Sequence, residues 1–320
     1  MPLIESTYRA PFGFRNGHAQ SIWPVVWRRV ESLAMTRERI GTPDDDFLDL
    51  DATDTGASRV VILSHGLEGS SRQTYIQGMA RALVKRGWDV VALNCRGCGG
   101  EPNRQLRFYH SGATDDLGTV VDHVLANGRW EQLAMVGFSL GGNMTLKYLG
   151  EQGDAVDSRI KASVALSVPF DLAGSSVRLA AWSNRVYMRR FMRTLRAKVR
   201  EKATRFPGRI DLTGLDAART FADFDGGVTA PLHGFTSARD YWARAASRPY
   251  LPRITVPTLL VNAQDDPFLS PGCFPGKEAA ASDVFHFEAP RFGGHVGFVT
   301  FGREDEYWSE ARAAAFLEIC

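Results

Sequence analysis

The chain has 320 residues, 44 % of them hydrophobic, with 38 basic residues against 36 acidic ones for a net charge of +2. Such a chain can bury one large core, or a core plus a small appended module, and its charge balance gives no whole-protein case for nucleic acid or an acidic partner. Four cysteines are no disulfide framework at this length, no apolar run suits a signal peptide or a membrane span, and a reducing, cytoplasmic setting is expected, with no integral membrane segment.

From the N-terminus, the first strand-like run is Arg59-Val60-Val61-Ile62-Leu63-Ser64, which ends in His65-Gly66-Leu67-Glu68-Gly69-Ser70-Ser71. The His-Gly step leaves backbone N–H groups open at the strand tip, and His65 reads as a brace for the loop rather than a proton carrier. A helix is expected over Tyr75–Arg86, then a strand over 88–93 and a glycine-rich loop from Asn94 to Gly100. That loop holds Cys95-Arg96-Gly97-Cys98. A zinc site would need two further ligands at suitable spacing, while a redox pair would want its first cysteine at a helix N-terminus; neither is in view, so no metal or redox task is assigned. His110-Ser111-Gly112-Ala113-Thr114-Asp115 spells H-x-x-x-x-D, a pattern associated with acyl transfer. Thr114, Asp115 and Asp116 also look like the start of a helix reaching Asn127, where acidic residues cap amides and favour the dipole.

The run at 133–137 leads into Gly137-Phe138-Ser139-Leu140-Gly141-Gly142-Asn143 and a helix-like stretch from Met144 to Leu149. G-x-S-x-G between a strand and a helix is what a nucleophile elbow of the α/β-hydrolase type requires. The chain turns sharply with the serine hydroxyl at the apex, and side chains at Gly137 and Gly141 would collide in so tight a turn. The amides of Leu140 and Leu67 are then the candidate oxyanion donors. A strand over 161–168 follows. From Asp171 to about Leu251 the spacing of strands breaks, and a helical cap inserted over about 172–250 of a single 320-residue domain is expected.

The cap is strongly basic. Between Arg178 and Arg209 lie eleven basic residues, among them Arg185, Arg189, Arg190, Arg193, Lys198 and Lys202, against the single acid Glu201. Met188, Met192, Leu195 and Val199 recur at helical spacing, giving one apolar face with the rest basic. That face is either simply solvated or a peripheral contact for anionic lipid. Trp182, Phe191 and Met192, with Trp242 beyond, offer walls for an acyl-sized slot.

The last two strands supply the remaining machinery. Pro257 to Ala263 ends in Gln264-Asp265-Asp266-Pro267-Phe268, where a carboxylate past a buried strand can fix a histidine tautomer. Asp266 is the favoured acid and Asp265 the alternative. Only His286 and His295 follow it in the chain. His286 lies inside the strand-like run 283–288, whereas His295 sits in the glycine-rich Arg291-Phe292-Gly293-Gly294-His295-Val296-Gly297-Phe298 and is the candidate base. Strands alternating with helices argue for a mostly parallel sheet flanked by helices, the α/β-hydrolase fold with a cap.

Taken together the motifs resemble the YheT-like branch of the α/β-hydrolases, related to the mammalian alpha/beta hydrolase domain proteins of the AB hydrolase 4 group. The resemblance runs through Pro11-Phe12, Arg15-Asn16-Gly17-His18-Ala19-Gln20-Ser21, His65 to Ser71, Asn94 to Gly100, and His110-Ser111-Gly112 with Asp115-Asp116-Leu117. It continues through Gly137 to Asn143, Asp240-Tyr241-Trp242, Asn262-Ala263 with Asp265 to Phe268, and Gly293 to Phe298. It implies a serine carboxylic-ester hydrolase with the triad Ser139, Asp266 and His295, and no metal or organic cofactor. The H-x-x-x-x-D belongs to the shared pattern and singles out no transferase. The expected substrate is a small acyl ester of short to medium chain. The alternatives are a lipase, phospholipid acyl hydrolase or acyltransferase at a membrane surface and, more distantly, a non-catalytic binding protein of the same fold.

Overall fold

The computed structural model describes residues 2–302 and 306–319. In chain order they form β1 (Leu3–Ile4), α1 (Gly17–Val26), β2 (Thr36–Gly41), β3 (Phe47–Ala52), β4 (Arg59–Ser64), α2 (Thr74–Val84), β5 (Asp89–Asn94), α3 (Thr114–Ala126), β6 (Gln132–Phe138) and α4 (Leu140–Gln152). There follow β7 (Ile160–Leu166), α5 (Leu172–Ala180), α6 (Arg185–Arg205), α7 (Phe221–Phe224), α8 (Ala230–Leu232), α9 (Ala238–Ala245), β8 (Thr258–Val261), α10 (Gly276–Ala280), β9 (Phe285–Glu288) and α11 (Trp308–Ile319).

The strands pair in the order β1-β9-β8-β7-β6-β4-β5-β3-β2, parallel from β1 through β5 and antiparallel at the β3–β2 edge. Central parallel strands are covered on both faces, so they read as unbroken apolar runs. Alternate side chains feed two cores. Val60, Ile62 and Met135 face Leu117, Val120 and Leu146 of α3 and α4, while Val61, Leu63 and Val136 face Met79, Leu83 and Leu317 of α2 and α11. This is the α/β-hydrolase architecture, a mostly parallel sheet between two helical layers.

The structure adds strands before residue 59 that the apolar pattern does not show. β2 is almost wholly exposed, and β3 buries two aspartates. The ladder explains both, because Arg37 lies opposite Asp51 and Arg39 opposite Asp49. Their charges meet at 2.6 Å and 2.8 Å, cross-strand pairs that let a charged edge strand form.

Between β7 and β8 the chain leaves the sheet for α5 to α9, which have a core of their own around Met188, Met192, Leu195 and Val199 of α6. The basic face of α6 is narrower than the sequence suggests. Lys198 and Lys202 stand at i+3 and i+7 from Leu195, on the apolar row itself, so their stems run inward and only their heads need partners. The Lys202 ammonium donates to Asn103 Oδ1 and to the Gln105 carbonyl, each at 2.6 Å, and burial pushes its pKa down to about 8. Arg196 bonds the Ala218 carbonyl and Arg200 pairs with Asp216. Arg185, Arg189, Arg190 and Arg193 are left facing outward.

Candidate active site

The crevice at the carboxyl ends of the strands, where a ligand site of an open α/β sheet is expected, collects every candidate residue. Ser139 follows β6, Leu67 follows β4, Asp266 follows β8 and His295 follows β9. Ser139 sits at φ +52°, in the left-handed region, where β6 turns into α4. A Cβ on Gly137 would come within 2.6 Å of the Gly141 carbonyl, and one on Gly141 would collide with the carbonyls of Ser64 and His65. The two glycines are therefore what allows the strand, the turn and the helix to close on one another.

His295 Nε2 lies 2.9 Å from Ser139 Oγ, and its Nδ1 lies 2.8 Å from Asp266 Oδ2. The other Asp266 oxygen accepts the Phe268 N–H at 2.8 Å, so the carboxylate is fixed at both ends. Asp265 points elsewhere. Its Oδ1 accepts the Gly294 N–H at 2.9 Å, holding the histidine loop rather than the ring. Burial raises its carboxyl above the usual range. Of the two neighbouring aspartates, Asp266 is the one that reaches the imidazole.

The histidine loop rests on α1, an element the sequence reading passes over. The His295 N–H donates to Ser21 Oγ at 2.8 Å and the Val296 N–H to Ser167 Oγ at 2.9 Å. The signal for α1 was present. Asn16 accepts from the amides of His18 and Ala19 as an N-cap, directly before an apolar stretch.

The loop after β4 approaches the serine closely enough that a Cβ on Gly66 would stand 3.2 Å from Ser139 Cβ. Two tyrosine hydroxyls take its flanking amides: Gly66 N–H donates to Tyr75 at 3.0 Å and Glu68 N–H to Tyr109 at 2.7 Å. Among the described residues no protein group accepts the Leu67 N–H. The Ser139 N–H is used by the Leu166 carbonyl at 2.8 Å. His65 is fully buried, with Nδ1 on the Gly66 carbonyl at 2.7 Å and Nε2 3.1 Å from the Cys95 N–H; it braces the loop.

A charged network that sequence reasoning missed adjoins this loop. Glu68, itself at φ +56°, accepts from the Tyr109 hydroxyl at 2.8 Å and from Lys198 Nζ of the cap at 2.9 Å. Lys198 also lies 3.3 Å from Cys98 Sγ, which gives that cysteine a structural neighbour. Asn143 of α4 is a second tie. It donates to the Ser111 and Ala245 carbonyls at 2.8 Å and accepts the Ser247 N–H at 2.9 Å.

Over Ser139 and His295 lies a cavity of about 140 Å³ walled mostly by apolar side chains, including Leu67, Leu140, Phe191, Phe224, Trp242 and Phe268. Of the four cap residues expected as walls, Phe191 and Trp242 take that place. Trp182 does not, being 77 % exposed, and Met192 packs within the cap's own core. Helical phase explains this, since Met192 lies on the inner row with Met188 and Leu195 while Trp182 precedes α6 altogether. Asp225, also in the cavity wall, bonds Thr229 Oγ1 and Trp242 Nε1, and burial pushes its pKa up to about 6. Among the described residues no hydrogen bond or ion pair joins His110 to Asp115 of the H-x-x-x-x-D. Asp115 pairs with Arg107 at 2.7 Å, and His110 packs against His233 with its pKa pushed down to about 3 by burial and by that neighbour.

The alpha/beta hydrolase fold family matches residues 59–273 of the sequence. The chain belongs to that family. Within it, the YheT protein of Escherichia coli strain K12, which carries the name of an esterase, is 37 % identical over 95 % of this chain and 91 % of its own length. This is therefore a YheT-like α/β-hydrolase. Phospholipase ABHD3 of Homo sapiens is 26 % identical over 93 % of the chain and 75 % of its own length. Monoacylglycerol lipase of Saccharomyces cerevisiae is 28 % identical over 87 % of the chain and 62 % of its own length. Among solved structures, the Pyrococcus furiosus esterase Pf2001 superposes with a TM-score of 0.60 over 91 % of this chain and 98 % of that one, at 17 % identity, a likeness of fold.

Proposed function

We propose that this YheT-like hydrolase cleaves carboxylic acyl esters of short to medium chain through an acyl-enzyme on Ser139. The observation that carries the reading is the unbroken hydrogen-bonded series from Ser139 Oγ through His295 to Asp266 beneath a mostly apolar cavity. Ser139 attacks the ester carbonyl while His295 Nε2 takes its proton, and the same proton then goes to the departing alcohol. Asp266 holds the ring with its Nδ1 proton inward and stabilises the imidazolium. The oxyanion is received by the amides of Leu67 and Leu140. Water entering beside His295 resolves the acyl-enzyme. The names of the relatives support an ester or lipid substrate, and the free thiols Cys95, Cys98 and Cys273 suit a reducing cytoplasm. Among the described residues no helix is long and apolar enough to cross a membrane.

The test is a panel of p-nitrophenyl esters of increasing acyl length beside an emulsified long-chain triglyceride. Turnover should peak among the shorter soluble esters and fall on the emulsion. A preference for the emulsion would make the protein a lipase, and no turnover with any ester would overturn the reading.

A further inference from the structure

Among the described residues, seven of the twelve large apolar side chains left in solvent fall into two sets. On the cap edge Val177, Trp182 and Val186 are 73 %, 77 % and 65 % exposed. On α1 and just past it, Ile22, Val25, Val26 and Trp27 are exposed as well. Isolated exposed apolar residues need no explanation, but a cluster does.

The two sets adjoin. His18 of α1 stacks on Tyr187 of α6 with ring centroids 5.8 Å apart, and His18 Nδ1 lies 3.2 Å from the Tyr187 hydroxyl. Tyr187 follows Val186 in the chain, while Ile22, Val25 and Val26 continue the helical row that begins at His18. The exposed rows of α1 and α6 therefore leave from a common contact. That contact is close to the reacting groups, since Tyr187 packs on Phe268 at 4.8 Å and Phe268 on His295 at 4.2 Å between centroids.

Charge separates the possible occupants. Arg189, Arg190 and Arg193 follow Val186 on the outward rows of α6, and the Arg185 guanidinium lies 4.6 Å over the exposed Trp182 ring. Among the described residues none of these four arginines has a carboxylate within salt-bridge distance, and neither 17–27 nor 174–193 contains an acidic residue. A second copy docked on the same patch would set arginine against arginine with nothing to neutralise them. Exposed tryptophan and valine interleaved with arginine are instead what an interfacial surface shows to anionic headgroups.

We propose that the α1 row and the Val177–Arg193 edge of the cap form one docking surface for an anionic lipid bilayer, seating the protein with its active-site mouth toward the membrane. The docking is independent of the serine chemistry. A Ser139→Ala variant should bind vesicles as the wild type does, so failure of either proposal leaves the other testable.

The experiment is co-sedimentation of the purified full chain with phosphatidylcholine vesicles, with and without phosphatidylglycerol, at low and high salt. The wild type should bind the mixed vesicles and lose them in high salt. The triple variant Arg189→Glu, Arg190→Glu, Arg193→Glu should bind at least about 100-fold more weakly, since each arginine near an anionic surface is worth about a factor of five. Trp182→Ser with Val186→Ser should weaken binding about tenfold with the arginines intact. Every substituted side chain is exposed and outside the cavity, so turnover of a soluble ester should be unchanged and serves as the folding control. Equal binding to neutral and mixed vesicles, or variants that bind like the wild type, would overturn the proposal. So would a wild-type dimer in sedimentation velocity that Trp182→Ser dissociates, because the patch would then belong to a second copy.

Discussion

Replacing either of two adjacent aspartates by asparagine should separate an imidazole-orienting role from a structural one. In Asp266→Asn the amide oxygen can keep the Phe268 N–H at 2.8 Å, which turns the NH₂ toward His295 Nδ1. The ring must then carry its proton on Nε2, 2.9 Å from Ser139 Oγ, and can no longer accept the serine proton. Loss of the orienting charge and of the tautomer together should lower kcat by about 10³ to 10⁴, or about 4 to 5.5 kcal/mol of transition-state stabilisation, with KM little changed. In Asp265→Asn the remaining carbonyl can still accept the Gly294 N–H. The charge-assisted part of that bond is worth about 1 kcal/mol, and it is offset by removing a carboxylate whose ionisation burial disfavours. Turnover should stay within about tenfold. The assay is steady-state hydrolysis of p-nitrophenyl butyrate, with thermal melts to confirm the fold. An Asp265→Asn loss equal to or greater than that of Asp266→Asn would assign the imidazole to Asp265 instead.

Glu68→Gln leaves Lys198 without its carboxylate and loosens the loop that carries Leu67, so kcat for a soluble ester should fall about tenfold at nearly constant KM; unchanged kcat would show the network to be incidental. Asp225 titrates near 6 when folded and near 4 when unfolded, so its stabilising contribution is full below about pH 4 and is lost as pH rises through about 6. Melting curves of Asp225→Asn should therefore lose less stability than the wild type between pH 4 and 7, by about 2 to 3 kcal/mol at most, and parallel pH profiles would contradict this. Gly141→Ala drives a methyl into the carbonyls of Ser64 and His65 and should cost about 3 kcal/mol or more; a variant melting like the wild type would mean the elbow has room to relax.

What could be read from residues alone follows from where burial is one-sided in sequence. The strands from β4 to β9 announce themselves as apolar runs because both faces are covered. The reaction groups follow their tips in the order the elbow imposes. β2 and β3 stay hidden because their pairing is ionic, although Arg37-x-Arg39 facing Asp49-x-Asp51 is a pattern that could have revealed them. In sequence Lys198 and Lys202 count with the basic face because residue type outweighs helical phase: both fall on the row of Leu195 and Val199, and their partners Glu68 and Asn103 come from distant loops. The choice between Asp265 and Asp266 turned on the backbone after β8, where the Asp266 N–H bonds the Ala263 carbonyl at 3.2 Å and a single residue of register redirects the side chain. Sequence spacing could favour one aspartate; the turn decides which reaches the ring.

Nucleophilic attack by Ser139 Oγ is the step on which the proposed hydrolysis rests. It is tested most directly by treating the wild type and Ser139→Ala with a serine-directed fluorophosphonate, followed by peptide mass mapping and ester turnover. The wild type should give a single adduct, on the peptide bearing Ser139. The Ser139→Ala variant should give no adduct, with turnover lower by about 10⁴ to 10⁶. Labelling or turnover that survives in Ser139→Ala would contradict it.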